Sequence, residues 1–172
     1  CQTFDNYPTQ SVVCSENHAL VDSLNLSTVM TDDGESRQLA YVNADDLVDF
    51  ITAKKDKNVV EVNVTEDIQL KETFNISEAM TIIGDGGAFV ADNFTTKDNA
   101  VTVTSKGVQL NNVKIVTDES TKSGLHIYGG EVTATHLTVD NRNTAGGAAV
   151  VLNGGQLDLN GTTTFQLGEN SW

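Results

Sequence analysis

The sequence is short of positive charge, proline, arginine and cysteine, and each shortage removes a class of function. Ten Lys and Arg face 24 Asp and Glu, for a formal net charge of −14. A surface so acidic repels polyanions, which excludes nucleic acid and an anionic membrane as partners. Arginine occurs only at Arg37 and Arg142, so no guanidinium cluster exists to grip phosphate or sulfate groups. No apolar run is long enough to span a bilayer. The two cysteines, Cys1 and Cys14, are close enough in sequence to form a small extracellular disulfide. Cys1 also fits the lipid-bearing cysteine of a processed bacterial lipoprotein. Both readings place the protein outside the cytoplasm, on the cell surface or secreted. A start at Cys1 without Met is expected of a processed or excised product.

What the chain does have is a repeat. Three segments within residues 101–165 align by their apolar positions. Val103, Ile127 and Leu152 correspond at steps of 24 and 25 residues. Val108, Val132 and Leu157 keep the same steps, as do Leu110, Ala134 and Leu159, and then Val113, Leu137 and Thr162. Four columns in one register signal a solenoid. Within each unit apolar residues alternate with period two, which gives strands with one buried face. Lys106-Gly107, Gly129-Gly130 and Gly154-Gly155 supply the tight turns between strands. The fixed leucines and asparagines of a leucine-rich repeat are missing. Two or three short strands per 24–25-residue turn define an all-β parallel β-helix.

The rest of the chain leads up to that repeat. Residues 1–37 form an irregular lead-in, in which Leu20, Val21, Leu24 and Leu26 fit either a short helix or a strand. Asp32-Asp33-Gly34-Glu35 reads as an acidic turn, more consistent with solvation than with Ca²⁺. Residues 38–172 form the β-helix domain. It opens with a strand at Leu39 to Val42, then an amphipathic helix over 44–55. Asn43 is the expected N-cap, with Asp45 and Asp46 in the first turn, and Lys54 and Lys55 at the C-terminal end. Ala44, Leu47, Val48 and Ile51 form its expected apolar face. Laid across the first rung, this helix hides the core and blocks strand addition. Shorter strands follow around Val62, Ile68, Phe74, Ile82 and Phe89. Gly84-Asp85-Gly86-Gly87 makes a sharp corner; no Lys-Ser or Lys-Thr follows it, so it is not a phosphate loop.

Four stretches carry a family resemblance. They are Asn43 to Thr52, Val59-Val60-Glu61-Val62-Asn63-Val64, Met80-Thr81-Ile82-Ile83-Gly84, and Val108-Gln109-Leu110-Asn111-Asn112-Val113-Lys114-Ile115. From about residue 39 onward the chain resembles the right-handed parallel β-helix of the pectin-lyase-like superfamily. It is most similar to the non-enzymatic β-helix regions of bacterial surface and adhesin-like proteins. The enzymes of that superfamily imply catalytic sets that this chain lacks. The lyase pattern of arginines around a proline has no place here, because Pro8 is the sole proline. The hydrolase motifs Asn-Thr-Asp, Gly-His-Gly and Arg-Ile-Lys do not occur in the solenoid. Asp-Asp pairs occur only at Asp32-Asp33 and Asp45-Asp46, so no carboxylate pair faces one cleft as glycoside hydrolysis requires.

The remaining candidates are polar surface groups. His18, His126 and His136 have no metal-ligand spacing, and no metal or cofactor is expected. The outward columns are hydroxyl- and amide-rich: Gln109, Thr133, Asp158; Asn111, Thr135, Asn160; Thr102, His126, Val151; Thr104, Tyr128, Asn153. An aromatic ring beside amides and carboxylates suits stacking and hydrogen bonding to a sugar. His126, Tyr128, Thr133, Thr135, Asp158 and Asn160 are therefore the candidate glycan contacts. The Thr-x-Thr triplets do not stack from rung to rung as an ice-binding face would. Asn25, Asn63, Asn75, Asn93 and Asn160 each open an N-glycosylation sequon, a match that a Thr- and Asn-rich chain produces readily. The repeat stops at Phe165 to Trp172 without a cover. This is expected of a truncated solenoid, of one whose Trp172 folds over the core, or of end-to-end self-association. Two functions follow as expectations. One is a non-catalytic secreted or cell-surface module for adhesion, display or contact with carbohydrate or a host protein. The other is a fragment of a polysaccharide lyase or glycoside hydrolase whose catalytic rungs are missing.

Overall fold

The computed structural model describes residues 11–12, 24–30, 36–55, 59–144 and 146–171. Cys1, Pro8, Cys14, His18, Leu20, Val21, the acidic turn at Asp32 to Glu35 and Trp172 lie outside those residues. The chain is a parallel β-solenoid with three strands per coil. The coils are β4 (Val59–Val64), β5 (Ile68–Leu70) and β6 (Phe74–Ile76); then β7 (Thr81–Gly84), β8 (Phe89–Ala91) and β9 (Asp98–Val103). Next come β10 (Val108–Asn111), β11 (Lys114–Val116) and β12 (Thr121–Tyr128), followed by β13 (Glu131–Thr135), β14 (Thr138–Asn141) and β15 (Ala148–Asn153). A partial coil of β16 (Gln156–Asn160) and β17 (Thr164–Leu167) ends the stack. Sheet A contains β4-β7-β10-β13-β16, sheet B contains β5-β8-β11-β14-β17, and sheet C contains β6-β9-β12-β15.

The 24- and 25-residue steps are the pairing register itself. Val108 pairs with Val132 and Val132 with Leu157; Ile127 lies between Val103 and Leu152. In the inner coils one residue of each alternating pair is sealed inside. Ile82, Ile115, Leu125 and Ile127 are fully buried, and truncating such a residue to Ala costs about 2–5 kcal/mol. Tight corners separate the sheets. Gly129, with φ of +70°, and Gly130 turn the chain from sheet C to sheet A. A Cβ at Gly130 would meet Ser105 O at 2.8 Å and Val103 O at 3.0 Å, so the coils stack here only through glycine.

The N-terminal region resolves one choice that the sequence left open, helix or strand at Leu24 and Leu26, and departs from the sequence reading at the helix start. Residues Leu24 and Leu26 belong to a strand, β2 (Leu24–Met30), which continues sheet A antiparallel to β3 (Ser36–Ala44); β1 (Ser11–Val12) pairs beyond it. The helix, α1, spans Leu47–Lys55 rather than 44–55. Asn43 and Ala44 stay in β3 because they pair with Asn63 and Val64, and Asn63 Nδ2 donates to Asn43 Oδ1 at 2.9 Å. Asp46 is the cap instead, accepting from Asp49 N at 2.9 Å. The buried helix residues are Phe50 and Ala53, while Val48 is 71% and Ile51 37% exposed. A face counted from Ala44 was therefore rotated away from the true one. Phe50 fixes α1 over the core, edge-on to Phe74 at 4.9 Å and to Phe89 at 5.6 Å between ring centroids. Among the described residues no helix is long and apolar enough to cross a membrane.

Candidate functional site

The structure divides the six candidate contacts between two faces. His126 and Tyr128 lie on β12 in sheet C. Thr133 and Thr135 lie on β13, and Asp158 and Asn160 on β16, in sheet A beyond the Gly129-Gly130 corner. On sheet A the four make a shallow polar surface. Thr133, Asp158 and Asn160 are exposed and Thr135 is half-buried, and Asp158 accepts from Gln156 Nε2 at 2.8 Å. His136 turns the next corner with φ of +55°, and its Nδ1 accepts from Thr162 N at 3.1 Å.

Sheet C carries the more developed site. Residues two apart on a strand share a face, so His126 and Tyr128 stand side by side, with ring centroids 5.8 Å apart and planes tilted by 50°. Tyr128 is 63% exposed; His126 is half-buried. Register places Thr102 below His126 and Val151 above it. Asn153 Nδ2 is 2.9 Å from His126 Nε2, and Thr102 Oγ1 is 3.5 Å from Nδ1. With the amide as donor, the imidazole accepts at Nε2 and carries its proton on Nδ1. The ring is thus held from both neighbouring coils while one edge stays open to solvent.

Beside His126 is a cavity of about 300 Å³. Its polar wall is the buried pair Asn99 and Ser123, with Ser123 Oγ donating to Asn99 Oδ1. Lys122 and the loop at Gly146 and Gly147 form the rim. Gly147 is required where it is: a Cβ would fall 2.6 Å from Lys122 O and 2.6 Å from Thr144 Cγ2. Lys122 also reaches Asp98 Oδ1 at 3.7 Å. Asp98 lines a second, polar cavity of about 350 Å³ with Lys71, Glu72, Thr73, Asn75 and Thr95. Two carboxylates, Glu72 and Asp98, therefore do share a cleft, against the expectation from sequence, because stacking brings together residues of successive coils that are not adjacent in the chain. A third, of about 260 Å³, shares Glu72, Thr73 and Asn75 and reaches Leu47 and Ile51 of α1. The three run along sheet C from α1 to the last full coil. From β6 to β15 this spans three strand spacings, about 15 Å.

Charge in this region is local and paired. Burial lowers the Lys54 pKa, partly offset by Glu78; Lys54 Nζ donates to Asn75 O and sits 5.3 Å from the Phe74 ring centroid. At the corner between sheets B and C, Arg142 Nε and Nη2 grip Asp140 at 2.9 and 2.8 Å. Those bonds hold the Asp140 carboxyl below its ordinary range despite burial. Burial pushes the Asp118 carboxyl up, but bonds from Ser120 and from the N–H groups of Asn93 and Ser120 bring it below the usual value. Among the described residues no group of three His, Cys, Asp or Glu is arranged to hold a metal ion.

Sequence reasoning missed Asn99, Ser123 and the Gly146-Gly147 rim. The signal was present for the first two: the 24/25-residue steps continued upstream align Asn99, Ser123 and Ala148, which are register partners. The rim loop carries no such signal, because corner loops between sheets vary in length. No family model, curated protein or solved structure matches the chain.

Proposed function

We propose that the chain is a non-catalytic, pectin-lyase-like β-helix module, secreted or on the cell surface, that contacts an extended glycan along sheet C. The observation that carries the reading is the row of three cavities along sheet C, the last of them lined by His126 and linked to its neighbour through the Lys122–Asp98 pair. An axial groove offers one row of polar groups per coil, a geometry suited to a linear polymer. Its walls supply what sugar hydroxyls require, amides at Asn75, Asn99 and Asn153 and hydroxyls at Thr73 and Ser123, and the exposed Tyr128 ring, outside the cavity walls but next to His126, offers stacking. Adhesion or display through carbohydrate follows from such contact. A glycan array followed by calorimetry tests the reading. Tyr128→Ala removes a ring worth about 0.5–1.5 kcal/mol beyond its area, and binding weakens about three- to tenfold. His126→Ala weakens it as well, whereas Gln69→Ala, on exposed sheet B, leaves it unchanged. Absence of binding to every glycan, or turnover of a polysaccharide by this chain, overturns the proposal.

A further inference from the structure

The cavity beside His126 holds a buried amide with one end free. Asn99, Ser123 and Ala148 are register partners near the start of β9, β12 and β15. The residues that follow them turn inward. Ala100 is 0% and Ala149 3% exposed, and a Cβ at Gly124 would fall 2.4 Å from Val139 Cγ1. Alternation therefore sends Asn99, Ser123 and Ala148 outward, to the wall of the cavity. Asn99 is still only 8% exposed. Its Oδ1 accepts from Ser123 Oγ, its backbone N–H donates to Asp98 Oδ1 at 2.7 Å, and its C=O accepts from Thr73 Oγ1 at 2.6 Å. Its Nδ2 makes no hydrogen bond among the described residues. No sealed side-chain N or O atom among them lacks a partner, so this nitrogen opens on the cavity that Asn99 lines.

We propose that the cavity receives the acetamido group of an N-acetylated amino sugar, with the acetamido oxygen accepting from Asn99 Nδ2 and the methyl group against Ala148. The inference rests on the reading of sheet C as a glycan site and names the class of glycan. Three observations select this group over the other acceptors that sugars carry. First, charge opposes a carboxylate or a sulfate. Lys122 at the rim already pairs with Asp98 at 3.7 Å, Asp98 shares the neighbouring cavity with Glu72, and the chain carries a net charge of −14. Second, the wall is apolar next to the amide. A bare hydroxyl would satisfy Nδ2 but leave Ala148, Val151 and the backbone of Gly146 and Gly147 without an apolar partner, whereas an acetamido group is neutral, accepts at its oxygen and buries a methyl. Third, there is room for the group and for the ring that bears it. The cavity holds about 300 Å³, and His126 and Val151, register partners further along the same strands, flank the sugar while its acyl branch lies at Asn99.

A glycan array followed by calorimetry on the glycans bound tests the inference. The expected result is that they carry N-acetylamino sugars, and that the hydroxyl counterpart (glucose in place of N-acetylglucosamine, for example) binds about tenfold more weakly or worse. Asn99→Asp keeps the size of the side chain and the acceptor for Ser123 but puts a carboxylate oxygen where the free N–H groups were. It lowers affinity for the same glycans by about tenfold or more and leaves the far-UV circular dichroism unchanged. If that variant loses its β signal, the side-chain amide resonances of Asn99 in the unaltered chain decide: they shift on titration with the N-acetylated glycan and not with its hydroxyl counterpart. Binding that ignores the acetamido group, a preference for uronate or sulfated glycans, unchanged affinity in Asn99→Asp, or amide resonances that stay in place overturns this inference and leaves glycan contact at sheet C standing. Absence of binding to every glycan overturns both.

Discussion

Replacing Asn141 with Ala should remove a polar clasp between the last two coils. Asn141 is fully buried. Its Oδ1 accepts from Thr117 Oγ1 at 2.8 Å, and its Nδ2 donates to Ser171 Oγ at 2.7 Å and to Gly147 O at 3.3 Å. The magnitude turns on whether truncation orphans these partners. It does not: Thr117 also bonds Asp140 O and Thr144, and Ser171 also donates to Thr144 O and Gly147 O. Unpaired-group penalties are thereby avoided, and the cost is the net value of two good bonds and one long one, at about 0.5–1.5 kcal/mol each, plus a small cavity. The sum is about 2–4 kcal/mol, a large share of the roughly 5–15 kcal/mol that holds a typical domain. A solenoid is coupled mainly between neighbours, so the loss is confined to β14 to β17. Hydrogen exchange checks this: amides of β15 to β17 lose protection while those of β7 and β10 keep theirs. A uniform loss along the stack, or a change below about 0.5 kcal/mol in urea unfolding, would refute the reasoning.

Two further tests address the cap and the acid response. Phe50→Ala should cost about 3–5 kcal/mol, whereas Val48→Ala, on the exposed side of α1, stays within about 0.5 kcal/mol; thermal melts separate the two, and equal losses would contradict the assigned helix face. Asp140 and Asp118 have folded pKa values below the ordinary carboxylate value. Each therefore adds stability that is fully present above the unfolded pKa, about 3.9, and is lost as pH falls through the lower folded pKa. Arg142→Gln should reduce stability at neutral pH and flatten its dependence between about pH 2 and 5; unfolding series across that range provide the check, and an unaltered slope would remove Arg142 as the cause.

The inward columns were legible in the sequence because stacking makes every coil obey one spacing. A residue such as Ile127 must match Val103 below and Leu152 above, so the pairing register shows itself as a repeat in the order of residues alone. α1 was legible in kind but not in phase: Asn43 and Ala44 suit a helix start, yet the ladder to Asn63 and Val64 satisfies their backbone groups better than a first helical turn, whose N–H groups have no partners. Asn141 and Thr144 escaped notice for another reason. A search for apolar periodicity treats buried amides and hydroxyls as surface, although here they satisfy one another at 0% exposure. Half of the candidate site was visible as the column through His126. The groove was not, since residues from α1, from Thr95 and Asp98, and from Gly146 and Gly147 meet only when the coils are stacked.

The same physics separates scaffold from site. Stacking enforces likeness inside the solenoid and leaves the outside free. Along the outward column of sheet C the residues are Asn75, Thr102, His126 and Val151, four different chemistries on equivalent positions. The outward column of sheet A also varies, through Glu61, Thr81, Gln109, Thr133 and Asp158, but it carries no aromatic ring. A column that merely needs solvation has no reason to place a half-buried imidazole, bonded to the coils on both sides, next to an exposed phenol ring. A periodic face would also let a polymer slide from one coil to the next at equal energy. The aperiodic column beside the groove does not, because a sugar stacked on Tyr128 finds no second aromatic ring at Thr104 or Asn153. On the proposed reading, a glycan stacked on Tyr128 would be held in one register, and the pairing of His126 with Tyr128 is the reason the proposal is made for sheet C rather than for sheet A.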